Sequence, residues 1–175
     1  VVGTNGKSTA TRTIAVLLEA EGRRAGAYTS PHVSGWAERI WVDGVEADFE
    51  RAVARIRAHA EAVAATQFEA ITAAALVEFA EQRVDVAVVE AGLGGRLDAT
   101  NVIDAEVVLL TNVSLEHTEV LGETPEQSAQ EKLAVAHAAR VVVLPDNNYR
   151  EVVPKSAEIV IGDAQAAAEA FGGGR

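Results

Sequence analysis

The segment VVGTNGKSTATRTIA, residues 1–15, sets Gly3, Gly6, Lys7, Ser8 and Thr9 directly after two valines. Glycines let a backbone turn tightly enough for successive N–H groups to converge on one phosphate. A helix starting there adds the favourable potential of its N-terminus. In such a cradle Lys7 reaches the β- and γ-phosphates, and Ser8 or Thr9 ligates Mg²⁺. Gly-Lys-Ser can also be a mere turn with an N-cap, but a strand-like pair before it and helical spacing after it favour the cradle. The full phosphate-loop pattern has glycine where Val1 stands, so GTNGKST is a shorter GxxGK[ST] variant.

Other residue types bear on the same chemistry. Glu90 closes the apolar run VDVAVVE, and a carboxylate at a strand tip is a natural oxygen ligand for Mg²⁺. Gly92, Gly94 and Gly95 follow, removing side chains where a backbone or ligand approaches. Glu90 could also be a merely solvated carboxylate, but these glycines favour the metal-ligand reading. His117 lies just past VVLLT, where a histidine is more often an ordinary loop residue. Lys132 falls on a helical stretch, where a surface lysine is the usual case. Ser30 and His32 flank Pro31 in YTSPH, a stiffened loop after another strand.

The elements that must position these groups read as follows. Val1-Val2 ends a buried strand. Residues 7–22 are helical, with Thr11, Ile14, Ala15 and Leu18 on one stripe and Gly22 as a stop. Ala25–Thr29 forms a short strand. ERIWVDGVEA, 38–47, alternates around Asp43-Gly44, a hairpin signal. Two helices follow over 48–65 and 68–82, the first with Phe49, Val53, Ile56 and Ala60 on one stripe. VDVAVVE (84–90), AEVVLLTNV (105–113), ARVVVLP (139–145) and AEIVIG (157–162) suit parallel strands covered on both faces, with a helix over 124–137. The class is α/β: a doubly wound, mostly parallel sheet with flanking helices and a small β-hairpin insertion. Ligands gather at the carboxyl ends of strands in such sheets, which singles out 3–8, 29–32, 90–101 and 112–118.

The 175 residues fit one domain. A net charge of −11 with no basic stripe argues against nucleic acid. No apolar run reaches the ~20 residues of a membrane span. Without cysteine there are no disulfides or thiolate metal sites. The absence of methionine, and the FGGGR ending, read as part of a longer chain with a flexible, unpacked exit.

Taken together, the motifs resemble the folylpolyglutamate synthase/dihydrofolate synthase family, a branch of the ATP-dependent Mur-type amide ligases. The matching blocks are GTNGKST (3–9), YTSPHVSGWAERIWVDG (28–44), FEAITAAALVEFA (68–80), VDVAVVEAGLGGRLDATNVI (84–103) and LEHTEVLGETPEQSAQEK (115–132). EAGLGGRLDATN is the most specific of them; GTNGKST would fit any Mur-type ligase. The resemblance implies the central ATP-binding domain of such a ligase, with the family's C-terminal domain outside these residues.

It also implies roles. Gly3, Thr4, Asn5, Gly6, Lys7, Ser8 and Thr9 would hold the ATP phosphates. Ser8, Ser30, Glu90 and His117 would surround one or two Mg²⁺ ions, partly through water. Lys132 would be the lysine that such ligases carbamylate, and Lys7, Lys132 and His117 the catalytic set. Ser30, Pro31, His32, Arg39, Arg96, Asp98 and Ala99 would border the folate or dihydropteroate substrate. The implied reaction passes the γ-phosphoryl group to a substrate carboxylate, and the amine of L-glutamate then displaces phosphate from the acyl phosphate. Phosphoryl transfer needs positioning and charge neutralisation more than a protein nucleophile, and no Ser-His-Asp or Cys-His arrangement is evident. The implied partners are small molecules, in a cytoplasmic enzyme that is monomeric at full length. Two other readings stay open. GKST is closer to the cell-wall branch, so the acceptor could be a peptidoglycan precursor; or the chain could be a non-catalytic nucleotide-binding subunit.

Overall fold

The structure is a computed structural model that describes residues 1–172. Its elements in chain order are α1 (Lys7–Ala20), β1 (Ala25–Tyr28), β2 (Ile40–Val42), β3 (Val45–Glu46), α2 (Phe49–Ala62), α3 (Gln67–Gln82) and β4 (Val86–Val89). Then follow β5 (Val107–Leu109), α4 (Thr118–Leu121), α5 (Pro125–Lys132), β6 (Val141–Leu144), β7 (Glu158–Ile161) and α6 (Ala164–Gly172).

The strands form two ladders, β3-β2-β1-β4 and β5-β6-β7. The opening valines join them. The Val1 amino group donates to Val89 O at 2.7 Å, and Ala91 N–H donates to Val1 O. On the other side Val2 N–H donates to Leu109 O and Thr111 N–H to Val2 O. Val1-Val2 is thus the central rung of one sheet. It is parallel throughout except at the hairpin, where β2 runs antiparallel to β1 and β3. Asp43 and Gly44 turn that hairpin at φ 50° and 71°, the pair of positive values that a two-residue turn between twisted strands demands.

Alternation on the strands builds a core on each face. Val141 and Val143 point to α1 and α6, with Ile14, Ala15, Leu18, Ala167 and Ala168. Val142 and Leu144 point the other way, to Val2, Leu110 and Leu133. Farther along that second face, Tyr28, Ile40, Ile56, Ala74 and Phe79 lock α2 and α3 onto the sheet. The stripe expected on α1 is the buried one: Thr11, Ile14, Ala15 and Leu18.

Three features depart from expectation. The 124–137 helix is α5 followed by a tighter turn, Leu133–Ala136. The Ala-rich stretch 164–172, unassigned in the sequence reading, is a helix packed on α1. Phe171 and Gly172 of the ending read as an unpacked exit belong to α6, and Phe171 packs against the core beside Arg23. Residues 173–175 of that ending lie outside the described residues.

Candidate active site

The strand tips β1, Val1-Val2, β4 and β5 open onto one crevice. Gly6 caps α1 in the left-handed region, at φ 78° and ψ 3°, with no side-chain cap on the helix and no acid in its first turn. The first-turn N–H groups are therefore left for an anion. The loop before them is strapped to the segment after β5. Thr4 N–H donates to Asn112 O, Asn5 N–H to Asn112 Oδ1 at 2.9 Å, and Thr111 Oγ1 to Asn5 O at 2.7 Å. Thr4 Oγ1 exchanges hydrogen bonds with the backbone of Ser114. Lys7 folds back over the loop, its Nζ donating to Thr4 O.

Glu90 lies behind that loop with only 1% of its surface exposed. Its Oε1 accepts from Ser8 Oγ at 3.0 Å and its Oε2 from Ser30 N–H at 2.9 Å. Burial raises its pKa, against the pull of Ser30 N–H, the Ser8 hydroxyl and the Lys7 charge. The loop's lysine and the strand-tip carboxylate thus face one another electrostatically.

Lys132, at the end of α5, is also 1% exposed. Its Nζ stands 3.8 Å from Glu116 Oε1. Burial lowers its pKa; Glu116 opposes this and the nearby Lys7 charge adds to it. The glycine loop after β4 fits against this helix end. A Cβ on Gly95 would lie 2.5 Å from Lys132 O and 2.8 Å from Glu131 O, so only glycine allows the approach. Arg96 then closes the contact, donating from N–H to Glu131 O and from Nε to Glu131 Oε2 at 3.1 Å.

The Mur ligase middle domain matches residues 1–167. The chain belongs to that family. The dihydrofolate synthase/folylpolyglutamate synthase of Escherichia coli (strain K12) is 38% identical over 147 residues, covering 82% of this chain and 35% of that protein. A structure of E. coli FolC in complex with DHPP and ADP superposes with a TM-score of 0.84 at 34% identity, covering 90% of this chain and 40% of that one. A bifunctional folylpolyglutamate synthase/dihydrofolate synthase with Mn, AMPPNP and L-glutamate bound gives a TM-score of 0.79 at 34% identity, covering 91% and 41%. The chain spans about a third of the length of the curated relatives it matches. The branch that the motifs resemble is thus the one its relatives occupy.

Within this Mur ligase middle domain, Lys7, Ser8, Ser30, Glu90 and Lys132 converge around the crevice. His117 caps the short helix α4 at φ 46°; its side chain is more than half exposed, 3.8 Å from Glu119. His32 and Arg39 form a separate patch: Arg39 Nε donates to His32 Nδ1 at 3.0 Å, and both pack against Trp36. Pro31 follows Ser30 through a cis peptide. Asp98 organises its own loop. Its Oδ2 accepts from Gly92 and Leu93 N–H, its Oδ1 from Thr100 N–H and Oγ1, and Ala99 starts the turn that follows. Arg96 faces Glu131.

Sequence reasoning passed over Thr111, Asn112, Glu116, Phe68 and Glu131. The first three follow β5; Asn112 and Glu116 fall inside the stretch 112–118 that the strand-tip rule selects, and Thr111 lies one position before it. Phe68, pressed against Gly92, is marked only as the first residue of the block 68–80, with no role attached.

Among the described residues, no three His, Cys, Asp or Glu side chains cluster into a ready-made metal cage. The donors present are a buried carboxylate and a hydroxyl, both hard oxygens, beside an anion-ready helix end. That set fits a cation such as Mg²⁺, which keeps waters and shares itself with phosphates. Among the described residues, no helix is long and apolar enough to cross a membrane.

Proposed function

We propose that this domain supplies the nucleotide and metal site of an ATP- and Mg²⁺-dependent ligase that joins L-glutamate to the carboxylate of a folate or dihydropteroate. The observation that carries the reading is the convergence of Lys7, Ser8 and Glu90 from two strand tips, with buried Lys132 close by. The relatives named as dihydrofolate synthase/folylpolyglutamate synthase supply the substrate class. ATP and folate-type acids are met in the cytoplasm, where we place the enzyme.

The backbone of residues 3–8 and Lys7 hold the phosphates; Thr9 stands at the same helix start. Glu90 and Ser8 would hold the cation, with Ser30 and His117 at its periphery. When bound, that cation neutralises charge on the transferring phosphoryl group. Lys7 adds a fixed positive charge where negative charge spreads in the transition state. A carboxylate oxygen of the acceptor attacks the γ-phosphorus and ADP leaves. The glutamate amine then attacks the acyl carbon, phosphate leaves with the acyl C–O electron pair, and the nitrogen gives up one proton.

Lys132 takes CO₂ in this reading. Its neutral amine attacks the carbon, one C=O pair moves to oxygen, and the proton goes to solvent. Burial favours the neutral amine that this step needs. The loop of Ser30, Pro31 and His32, with Arg39, Arg96, Asp98 and Ala99, lines the acceptor side.

The full-length protein, offered dihydropteroate, tetrahydrofolate and a UDP-muramyl acid with ATP and labelled glutamate, tests the proposal. Label is expected in one of the first two products. Turnover of the muramyl acid alone, or of none, refutes the folate assignment.

A further inference from the structure

Glu38 was given no role above, yet it is hydrogen-bonded at both ends. Its carboxylate accepts from three successive backbone donors: Val33 N–H at 3.0 Å, Ser34 N–H, and Gly35 N–H at 2.6 Å. Its carbonyl oxygen accepts from Trp41 Nε1 at 2.8 Å, and from Arg12 Nη2 and Thr29 Oγ1 at 3.2 Å each. Arg12 stands one turn after Ser8 on α1, and its guanidinium lies 4.7 Å over the Trp41 ring.

These bonds join two parts of the crevice that the sequence separates. One is the helix that begins with Lys7 and Ser8. The other is the irregular loop of residues 30–39. Val33 at the tip of that loop is 94% exposed, while Trp36 farther along it stacks on Phe49 of α2 with centroids 6.1 Å apart. The loop carries a defined patch: the Trp36 and His32 rings meet at a 55° tilt with centroids 4.2 Å apart, and Trp36 lies under the Arg39 guanidinium at 4.9 Å. Three consecutive N–H groups converging on one carboxylate are the contact that can hold such a loop in a single shape.

We propose that Glu38 is a positioning residue, fixing the acceptor-side loop to the nucleotide-side helix so that carboxylate and γ-phosphate meet in register. Displacement of Glu38 moves Trp36, His32 and Arg39 relative to Lys7 without touching either. Its carboxylate is an anion at any working pH, because the N–H groups of Val33 and Gly35 hold its pKa down to about 2. The kinetic consequence rests on the ligase reading; the clamp itself does not.

The test uses the full-length protein and the variants Glu38→Gln and Arg12→Lys. Gln keeps the shape but turns an NH₂ donor towards backbone donors, so a space-filling role tolerates it and a clamp does not. Amide hydrogen exchange at residues 33–35 is expected to speed up in Glu38→Gln. The KM for the acceptor acid is expected to rise about tenfold or more, with the KM for ATP changed by less than about threefold. Unchanged protection at 33–35 overturns the clamp. Lost protection with an unchanged acceptor KM overturns the positioning role. If Glu38→Gln melts below the assay temperature, Arg12→Lys decides. It keeps the charge while giving up the planar stack, and an acceptor KM equal to that of wild type overturns the proposal. A wild-type protein that turns over no acceptor defeats the ligase reading, and the exchange measurement then decides the clamp alone.

Discussion

Ser8 and Glu90 stand 82 positions apart and share a 3.0 Å hydrogen bond, Oγ to Oε1. The bond exists because Val1-Val2 lies beside β4, bringing the start of α1 against the end of β4. A buried carboxylate at the foot of a helix is costly unless something positive completes it. Lys7 contributes part of that charge, and a bound cation would contribute the rest. The pair therefore predicts two kinds of behaviour, one for each of its neighbours.

For Lys7, truncation removes a charge from a half-buried position and one hydrogen bond to Thr4 O. Lys7→Ala is expected to lower the melting temperature modestly, because Glu90 loses part of its compensating charge, and to cut ATP-dependent turnover by about 10²–10³-fold or more. Steady-state assay beside a thermal melt separates the two effects. Retained turnover in a folded variant refutes the phosphate role of the loop.

For Glu90, the sign follows from its raised pKa. In the folded protein it holds its proton to higher pH than in the unfolded chain. Its contribution to stability therefore falls as pH climbs from about 4.5 through the folded value. Above the folded value the metal-free protein carries the burden of the buried charge. Glu90→Gln is expected to melt a few degrees higher than wild type without metal or nucleotide, with the gain vanishing towards pH 4. The same variant is expected to lose most of the stabilisation that Mg²⁺ with an ATP analogue gives wild type. A variant that is destabilised at neutral pH and still stabilised by Mg²⁺-nucleotide contradicts the assignment.

The sequence made much of this legible because β-runs and glycine loops alternate so cleanly. The apolar runs ending at Glu90 and Leu110 marked strand tips, and the strand-tip rule selected the stretches where Lys7, Ser30, Glu90 and Asn112 meet. Lys132 was legible only through a family motif. Its helical spacing alone gave a surface lysine, and its burial depends on Gly95 lying against the carbonyls of Glu131 and Lys132. Such packing between segments 36 positions apart leaves no periodic trace. The same holds for Glu38, which reads as the first residue of a hairpin segment until its six donors are placed around it. Helix α6 was missed for another reason. It is short, and its last residues belong to the FGGGR ending that reads as an exit; its buried side, Ala167 and Ala168, docks against α1.

Gly95 offers a direct check on how Lys132 is held. The atoms a methyl group would meet are backbone oxygens at 2.5 and 2.8 Å, which have no rotamer to escape into. Gly95→Ala must push the loop away from α5. The expected cost is about 1–3 kcal/mol, or a fall in Tm of roughly 2–4 °C per kcal/mol for a chain of this size. Turnover should fall further than the lost stability explains, because Lys132 shifts with its helix end. An Ala variant with wild-type Tm and rate contradicts the contact.

Remote from the crevice, Glu78 gives the last prediction. It is 1% exposed on α3, and Arg51 of α2 binds it at 2.8 Å, with Gln82 at 2.9 Å and Arg55 also in contact. Burial alone would raise its pKa, yet the hydrogen bonds from Gln82 and Arg51 and the arginine charges bring it below the ordinary carboxylate value. A depressed carboxyl stabilises the fold above its unfolded pKa of about 4.5, and that contribution fades as pH falls through the folded value. Removing Arg55 leaves a buried charge with one arginine instead of two. Arg55→Met is expected to cost about 1–3 kcal/mol at pH 7, less than a fully orphaned buried charge because Arg51 remains. The cost should shrink at an acid pH low enough to protonate Glu78, which then no longer needs the second cation. Double replacement with Glu78→Gln should recover most of the loss at neutral pH, because it removes the charge that Arg55 was neutralising. Urea unfolding of the single and double variants at the two pH values measures all of these. A loss independent of pH, or one that Glu78→Gln does not relieve, means that Arg55 acts by packing its stem against α3 and not by its charge.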